Sequence, residues 1–251
     1  MTKAEIQLVR SLADKRERDL TGFFVAEGEK FITELRQSHL RIHTIFALEG
    51  LFEGDNITTV SAGEMARLSL LKTPNNSLAV VEKPHYTLNP AVACQRLILA
   101  LDELQNPGNV GTIIRLADWF GIEEIVCSLA TADCFSPKVV QATMGSILRV
   151  RVHYTDLPPF LAEARCAGVP VYGTFLEGNN IYNSPLTQNG IILMGNEGRG
   201  ISHSCAAHVS QKLFIPPYPT DRQGSESLNV AMATGIVCGE FRRQAGAKKL
   251  L

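Results

Sequence analysis

The chain has 251 residues, enough for two ordinary domains, and 45% of them are apolar and 20% charged. This composition excludes a disordered tail, a coiled coil and a collagen-like chain. The 24 basic and 25 acidic side chains nearly cancel, so the chain lacks the overall basic excess that is typical of nucleic-acid-binding proteins, and any such partner would need a local basic patch.

The first 85 residues are predicted to form a compact α/β unit. Apolar periodicity and turn residues predict helices over 6–12, 30–37 and 61–71, and strands over 23–26, 43–48 and 77–81. Ser61 is the expected N-cap of the third helix, with Glu64 completing a capping box. Two prolines interrupt the aperiodic segment 83–90. We therefore predict a domain over 1–85, a linker over 86–95 and a second domain over 96–251.

The second segment alternates strands with helices. Strands are predicted over 96–101, 124–127, 148–153, 169–175, 190–194 and 212–215, and helices over 110–120, 137–145, 157–167 and 228–242. This alternation is typical of a doubly wound α/β domain with a parallel sheet. Such sheets bind ligands at the carboxyl ends of their strands.

The last predicted helix is almost entirely apolar at its start, which indicates a buried helix. Its uncharged stretch, 228–239, is shorter than the roughly 18 residues that a transmembrane helix needs. The N-terminus has no continuous apolar segment typical of a secretory signal. We therefore expect a cytoplasmic protein without a membrane association.

The six cysteines show no CxxC pair and no histidine at metal-ligand spacing. A disulfide framework is not expected without a secretory signal, and neither is a metal site. Most of the cysteines are interpreted as small buried apolar residues.

A first polar loop, Asn106–Gly111, follows the first strand of the second segment and opens a helix. Small residues at a helix N-terminus allow backbone N–H groups to approach an anion. Arg115 lies six residues beyond Asn109 and points away from the apolar face of that helix. Taken alone, it fits a solvated surface arginine or a substrate contact. The loop matches neither GxGxxG nor GxxxxGK[ST], which argues against NAD and ATP sites.

Two further loops follow later strands. Gly195–Gly200, with the sequence GNEGRG, places Glu197 just after a strand, although an ordinary strand-to-helix turn explains the glycines equally well. The third loop begins with Ile215 and Pro216, continues through a long polar stretch, and ends with the segment SLNV. Ser227 in that segment is the predicted N-cap of the last helix.

Taken together, the three loops resemble the three motifs of the SpoU (TrmH-like) RNA ribose 2′-O-methyltransferases. Asn109–Arg115 resembles N-x-G-x-x-x-R, GNEGRG resembles G-x-E-x-x-G, and the third loop resembles the family's IP…SLNV motif. The sequence GFFVAEGEKFITELRQS is similar to the family's L30e-like substrate-binding domain. The stretch between Ile215 and Ser227 is longer than in many members and contains Tyr218, Asp221 and Arg222.

The resemblance implies a parallel-sheet domain with a deep trefoil knot, a homodimer, and methyl transfer from S-adenosylmethionine to a ribose 2′-hydroxyl of rRNA or tRNA, with rRNA favoured. It implies that the catalytic residues are Asn109, Arg115, Glu197, Ser227 and Asn229. It implies that the cofactor-binding residues are Thr174, Gly195, Ile215 and Leu228. No metal is implied.

Two alternatives stay open at this point. A non-catalytic RNA-binding or assembly factor could retain the same fold, and a methyltransferase of this fold could modify a base instead of a ribose. The N-terminal domain would select the RNA. Four cationic residues just before the first strand could bind RNA phosphates, or they could form an ordinary solvated helix face. The cations are Arg10, Lys15, Arg16 and Arg18.

Overall fold

The computed structural model describes residues 2–219 and 227–247, which form two compact units. The first unit contains the residues up to His85 together with Asp133–Arg149, and the second contains Tyr86–Ala132 and the residues from Val150 onward. No sequence feature predicts the return of Asp133–Arg149 to the first unit. Over the described ranges, no helix is long and apolar enough to cross a membrane.

The first unit is built on a four-stranded sheet with the order β1-β4-β2-β3. β1 and β2 both pair antiparallel with β4, whereas β2 and β3 pair in parallel. The strands are β1 (Phe23–Glu27), β2 (Ile42–Ala47), β3 (Ile57–Thr59) and β4 (Ser77–Glu82), and the helices are α1 (Lys3–Ser11), α2 (Lys15–Thr21), α3 (Glu29–Arg36) and α4 (Ala62–Leu68). The predicted capping box of α4 is confirmed, because Glu64 N donates to Ser61 Oγ and Ser61 N donates to Glu64 Oε2.

Helix α2 lies in a segment for which no helix or strand was predicted. The segment is almost entirely charged and has no apolar period, but Asp14 accepts a hydrogen bond from Arg16 N and caps the helix. Arg18 is then buried, with its side chain 3% exposed, and pairs with Asp133 at 2.6 Å. The expectation that Arg18 binds RNA phosphate is therefore wrong, because its guanidinium is already used inside the protein.

The segment Asp133–Arg149 packs on the first unit through helix α7 (Pro137–Thr143), which contacts β1. The ring centroids of Phe24 and Phe135 lie 4.9 Å apart, and Arg149 pairs with Glu34 at 3.0 Å. A 3₁₀ turn, Ser146–Leu148, ends the segment.

The second unit contains a six-stranded sheet with the order β10-β8-β9-β5-β6-β7, and every pair in it is parallel. The strands are β5 (Leu97–Leu101), β6 (Glu124–Ser128), β7 (Arg151–Thr155), β8 (Val171–Asn180), β9 (Gly190–Met194) and β10 (Gln211–Phe214). The helices are α5 (Val92–Gln95), α6 (Pro107–Trp119), α8 (Leu157–Cys166), α9 (His203–Ala206) and α10 (Val230–Ala247), with a 3₁₀ turn at Ile181–Asn183. The predicted parallel sheet is confirmed, whereas the trefoil knot stays a prediction.

Helices α6 and α10 lie side by side. A Cβ on Gly235 would lie 3.5 Å from Leu116, and Arg242 Nε donates to Phe120 O at 2.7 Å. The expectation that the last helix is buried holds for one side only, because Val237 and Cys238 are fully buried whereas Met232 is 67% exposed and Ile236 is also exposed. Met232 and Ile236, four residues apart, leave one apolar stripe of α10 uncovered.

Candidate active site

The first two loops meet because their strands are neighbours. β5 and β9 pair in parallel, with Leu101 opposite Met194, so the loops that follow them leave the same edge of the sheet. The first loop enters α6, where Asn106 caps the helix by accepting hydrogen bonds from the backbone N–H groups of Gly108 and Asn109. Pro107 at the first helical position lacks an N–H and suits this start.

A continuous chain of side-chain hydrogen bonds joins all three predicted loops. Asn109 Nδ2 donates to Glu197 Oε1 at 3.0 Å, and Asn229 Nδ2 donates to Asn109 Oδ1 at 3.0 Å. The backbone N–H of Asn106 also donates to Glu197 Oε1, at 3.3 Å. Asn109 in the first loop thus bonds to both of the other loops, and these two bonds fix the orientation of its amide.

Asn229, rather than Ser227, caps the last helix. Its Oδ1 accepts hydrogen bonds from Ala231 N at 3.0 Å and Met232 N at 3.3 Å, and α10 begins at Val230. Ser227 is exposed and lies two residues earlier, so the predicted cap is wrong by two positions. Asn229 therefore connects the start of α10 directly to Asn109.

Glu197 is held in its charged form. Burial opposes its ionisation, but the hydrogen bond from Asn109 and the bonds from neighbouring backbone N–H groups outweigh that effect and lower the pKa of Glu197. At neutral pH it is a carboxylate that accepts hydrogen bonds. A carboxylate with a lowered pKa is a poor proton acceptor, so its suitable task is orientation of Asn109.

Arg115 stays outside this chain of bonds. It is exposed on α6, six residues and about 9 Å along the helix axis from Asn109. Within residues 2–219 and 227–247, no carboxylate forms an ion pair with it. Arg115 therefore presents a permanently charged, planar donor that can bind a phosphate or another oxygen anion.

Asn196, Arg199 and Glu103, which were not among the predicted site residues, connect the loop after β9 to the loop after β5. Asn196 Nδ2 donates to the carbonyl of Glu103 at 2.7 Å, and Arg199 pairs with the Glu103 carboxylate at 2.7 Å. Asn196 lies inside the GNEGRG motif, so an Asx turn there is a signal that the sequence does carry. Nothing in the sequence indicates the partner, Glu103.

Three of the predicted cofactor residues lie in or directly after three adjacent strands, and the fourth, Leu228, is next to Asn229. Gly195 follows β9, Ile215 follows β10, and Thr174 lies in β8, which pairs with both. Thr174 Oγ1 donates to the carbonyl of Leu193 at 3.3 Å. A Cβ on Gly195 would lie 2.2 Å from the backbone of Gly200 and Ile201, so the fold itself requires a glycine there.

This edge leaves several large apolar side chains uncovered. Leu176 and Leu228 are each more than half exposed, and Tyr218 is 90% exposed. In β8, the register against β10 shifts between Lys212 and Leu213, so residues 174–178 bulge from the sheet beside them. Apolar side chains and open backbone at a strand edge suit a largely organic ligand better than a metal ion.

Two buried cysteines of the second unit carry unreactive thiols. Burial raises the pKa of Cys205 to about 11 and that of Cys238 to about 12, so both stay protonated at neutral pH. Among the described residues, no group of histidine, cysteine and carboxylate side chains is arranged to hold a metal. Residues 220–226, which contain Asp221 and Arg222 of the long third loop, lie outside the described part of the chain.

Comparison with known proteins identifies the family. Residues 96–239 match the model of the SpoU rRNA methylase family, and residues 3–79 match that of the MRM3-like substrate binding domain. The chain belongs to the SpoU rRNA methylase family. This SpoU protein is 31% identical over 240 residues to the 23S rRNA (guanosine(2553)-2′-O)-methyltransferase RlmP of Bacillus subtilis, covering 93% of this chain and 94% of the relative.

Solved structures agree with that assignment. The SpoU chain is 37% identical to a putative RNA methyltransferase of the TrmH family from Porphyromonas gingivalis, with a TM-score of 0.88 over 97% of this chain and 99% of the other. It is 29% identical to an AdoMet-bound rRNA methyltransferase from Sinorhizobium meliloti, with a TM-score of 0.84 over 97% and 96% of the two chains. The predicted family and its N-terminal substrate-binding domain are confirmed, whereas the roles of individual site residues stay predictions.

Proposed function

We propose that this SpoU protein transfers a methyl group from S-adenosylmethionine to a ribose 2′-hydroxyl of ribosomal RNA. The observation that carries the proposal is the hydrogen-bond chain Glu197–Asn109–Asn229, which joins the three family motifs at one edge of the sheet. A retired site would be free to lose these polar groups. The family and the rRNA substrate in the name of the Bacillus subtilis relative support rRNA over tRNA.

The residues present fit the cofactor. When bound, S-adenosylmethionine supplies an electrophilic methyl group, so the protein has to orient the hydroxyl and facilitate loss of its proton. The carboxyl edge of β8, β9 and β10 offers the half-buried Ile215, which follows β10, and uncovered apolar side chains at Leu176 and Leu228. The cofactor seen in the Sinorhizobium meliloti relative is consistent with this assignment.

In the proposed reaction, Arg115 binds the RNA phosphate and the 2′-oxygen. A guanidinium cation is always protonated and cannot take up the hydroxyl proton, but it lowers the pKa of a hydroxyl by stabilising the developing alkoxide. Asn109 retains one N–H and one lone pair after its two bonds to Glu197 and Asn229, and these hold the ribose. Ser227, on the segment just before the cap, is proposed to contact the substrate.

A homodimer completes the proposal. Trp119 on α6 is 83% exposed, and Met232 and Ile236 on the adjacent α10 are exposed as well. Large aromatic and apolar side chains on neighbouring helices favour a protein interface. Arg115 lies one helical turn before Trp119, so a second copy covering this face would border the site.

The test combines cofactor binding with methyl transfer. We expect calorimetric titration to give selective S-adenosylmethionine binding near one site per subunit, with ATP and NAD as negative controls. We expect transfer of labelled methyl to unmodified 23S rRNA and a 2′-O-methyl nucleoside on digestion. Arg115→Ala should lose turnover by about 100-fold or more while cofactor affinity stays unchanged.

Arg165→Ala, at an exposed arginine of α8, is the matched control and should keep full activity. Undiminished methylation by Arg115→Ala would remove Arg115 from the proposed mechanism. A methylated base in place of a methylated ribose would contradict the reaction itself, and absence of transfer to any RNA would favour an assembly factor.

A further inference from the structure

We infer that Asn196 is a positioning residue, which sets the geometry of Asn109 and Glu197 through a bridge to Glu103. The inference rests on the proposed function and deepens it, because it assigns a task to a side chain that lies behind the site. Asn196 is half-buried, and all its polar groups are engaged within the second unit.

Asn196 first shapes its own loop. Its Oδ1 accepts hydrogen bonds from Gly198 N at 2.9 Å and Arg199 N at 3.1 Å, and its backbone exchanges two bonds of 2.9 Å with Gly200. These bonds form the tight turn that carries Glu197. An Asx turn needs only the side-chain oxygen, so this task alone does not require an amide.

The amide nitrogen of Asn196 performs a second task. Nδ2 donates to the carbonyl of Glu103 at 2.7 Å, which connects the loop after β9 to the loop after β5. Aspartate in place of asparagine would preserve the turn but would bring two acceptors together at this bridge. The two tasks of Asn196 are therefore separable by one isosteric substitution.

Glu103 is the residue that needs to be held. Its φ is +56°, in the left-handed region that favours glycine, and such a residue persists only where its surroundings fix it. Its N–H donates to Ser128 Oγ at 2.8 Å, its carbonyl accepts from Asn196, and its carboxylate pairs with Arg199. Three contacts thus hold one strained position.

Glu103 sets the path of the segment that builds the site. Three residues later, Asn106 donates its N–H to Glu197 and caps α6, which fixes Asn109 on the first turn. Release of the Glu103 carbonyl lets the left-handed residue relax, and the Asn106 and Asn109 donors then move relative to Glu197. Asn196 therefore affects Asn109 in two ways: it shapes the loop that carries Glu197, and it holds Glu103 in the loop that leads to Asn109.

The test is a double-mutant cycle between Asn196→Asp and Glu103→Gly. Asn196→Asp should lower kcat by about 10-fold or more with an unchanged RNA KM, because the bridge is lost and no substrate contact is removed. Glu103→Gly removes only an exposed ion pair and accepts the positive φ freely, so its own effect should be small. The double variant should recover much of the lost kcat, because a glycine there needs no bridge.

Asn89→Asp is the matched control, since Asn89 Oδ1 also accepts a backbone N–H in a turn of the same unit. Wild-type kcat in Asn196→Asp, or effects that multiply independently in the double variant, would overturn the inference. A second readout is amide hydrogen exchange, which should accelerate over residues 105–109 in Asn196→Asp and return toward wild type in the double variant. Absence of methyl transfer by the wild type would contradict the proposed function but not the bridge from Asn196 to Glu103, because hydrogen exchange tests the bridge without an activity measurement.

Discussion

At the scale of single residues, the two hydrogen bonds that the Asn109 side chain already makes determine what it can still bind. A side-chain amide offers two N–H donors and two acceptor lone pairs, and Asn109 uses one of each on Glu197 and Asn229. These two bonds assign the orientation of the amide, because Glu197 is a carboxylate and can only accept. One donor and one acceptor remain for a ligand hydroxyl, which is itself both a donor and an acceptor.

Asn109→Asp tests this reading of the amide. The substitution is isosteric, but it places a second carboxylate about 3.0 Å from Glu197, where the two charges repel. Loss of a charge-assisted hydrogen bond of about 1.5–3 kcal/mol predicts a kcat lower by about 10- to 100-fold. Steady-state methyl transfer on 23S rRNA measures the change, and cofactor titration should give an unchanged affinity.

Asn183→Asp, at an exposed asparagine of the same unit, introduces the same charge elsewhere and should leave kcat unaffected. Equal kcat in the wild type and Asn109→Asp would show that the Glu197–Asn109 bond plays no part in turnover.

The resemblance to the SpoU motifs implied that Asn109, Glu197 and Asn229 belong to one site, and the structure brings their side chains together. The resemblance did not predict that Arg115 stays apart from them, since the orientation of a long exposed side chain is not set by backbone periodicity. The bridge from Asn196 to Glu103 could not be predicted either. It depends on a left-handed backbone conformation at Glu103, and the sequence has no glycine there that would indicate one.

At the scale of elements, the start of α10 shows why boundaries are less predictable than elements. Ser227 and Asn229 are both good N-caps by residue type, and local sequence does not choose between them. The structure selects Asn229, whose amide nitrogen is bound to Asn109 while its oxygen caps the helix. A tertiary contact thus decides where the helix begins.

The loop after β9 depends on Gly195 for a steric reason. A Cβ there would meet the backbone of Gly200 and Ile201 at 2.2 Å, so Gly195→Ala cannot keep the closed turn that carries Glu197. We expect a loss of stability of about 2 kcal/mol or more, together with loss of methyl transfer. Urea unfolding of the full chain measures the first effect.

Gly198→Ala provides a control within the same loop, because its Cβ would meet nothing closer than 3.8 Å and its φ is not positive. It should change stability by less than about 1 kcal/mol. Similar midpoints for the Gly195→Ala variant and the wild type would contradict the steric argument.

At the scale of the whole molecule, the return of Asp133–Arg149 to the first unit changes how the domains can be separated. Phe135 packs on Phe24, and Asp133 neutralises the buried Arg18. Deletion of residues 1–85 would therefore uncover an apolar segment and leave Asp133 unpaired. Such a truncation tests folding as much as RNA binding, so point substitutions at exposed cations such as Lys15 and Arg16 are the cleaner probes of RNA affinity.

The uncovered face of α6 and α10 determines the expected assembly. Trp119 and Met232 expose most of their side chains, which is unusual for two large apolar residues on packed helices. In a two-fold symmetric dimer each residue of the interface is buried twice, so a charge introduced at Met232 is buried without a partner at two places. At roughly 3 kcal/mol for each unpaired charge, the dissociation constant of the dimer should rise about 10⁴-fold.

Light scattering coupled to size-exclusion chromatography should therefore give a dimer mass for the wild type and a monomer mass for Met232→Glu. Circular dichroism should be unchanged, because Met232 is exposed within the single chain. Leu20→Glu, at an exposed leucine of α2, is the matched control and should stay dimeric. A monomeric wild type, or a dimeric Met232→Glu, would exclude this face as the subunit interface. If the partner borders Arg115, methyl transfer by Met232→Glu should also fall at low protein concentration and recover as concentration rises, because mass action restores the dimer.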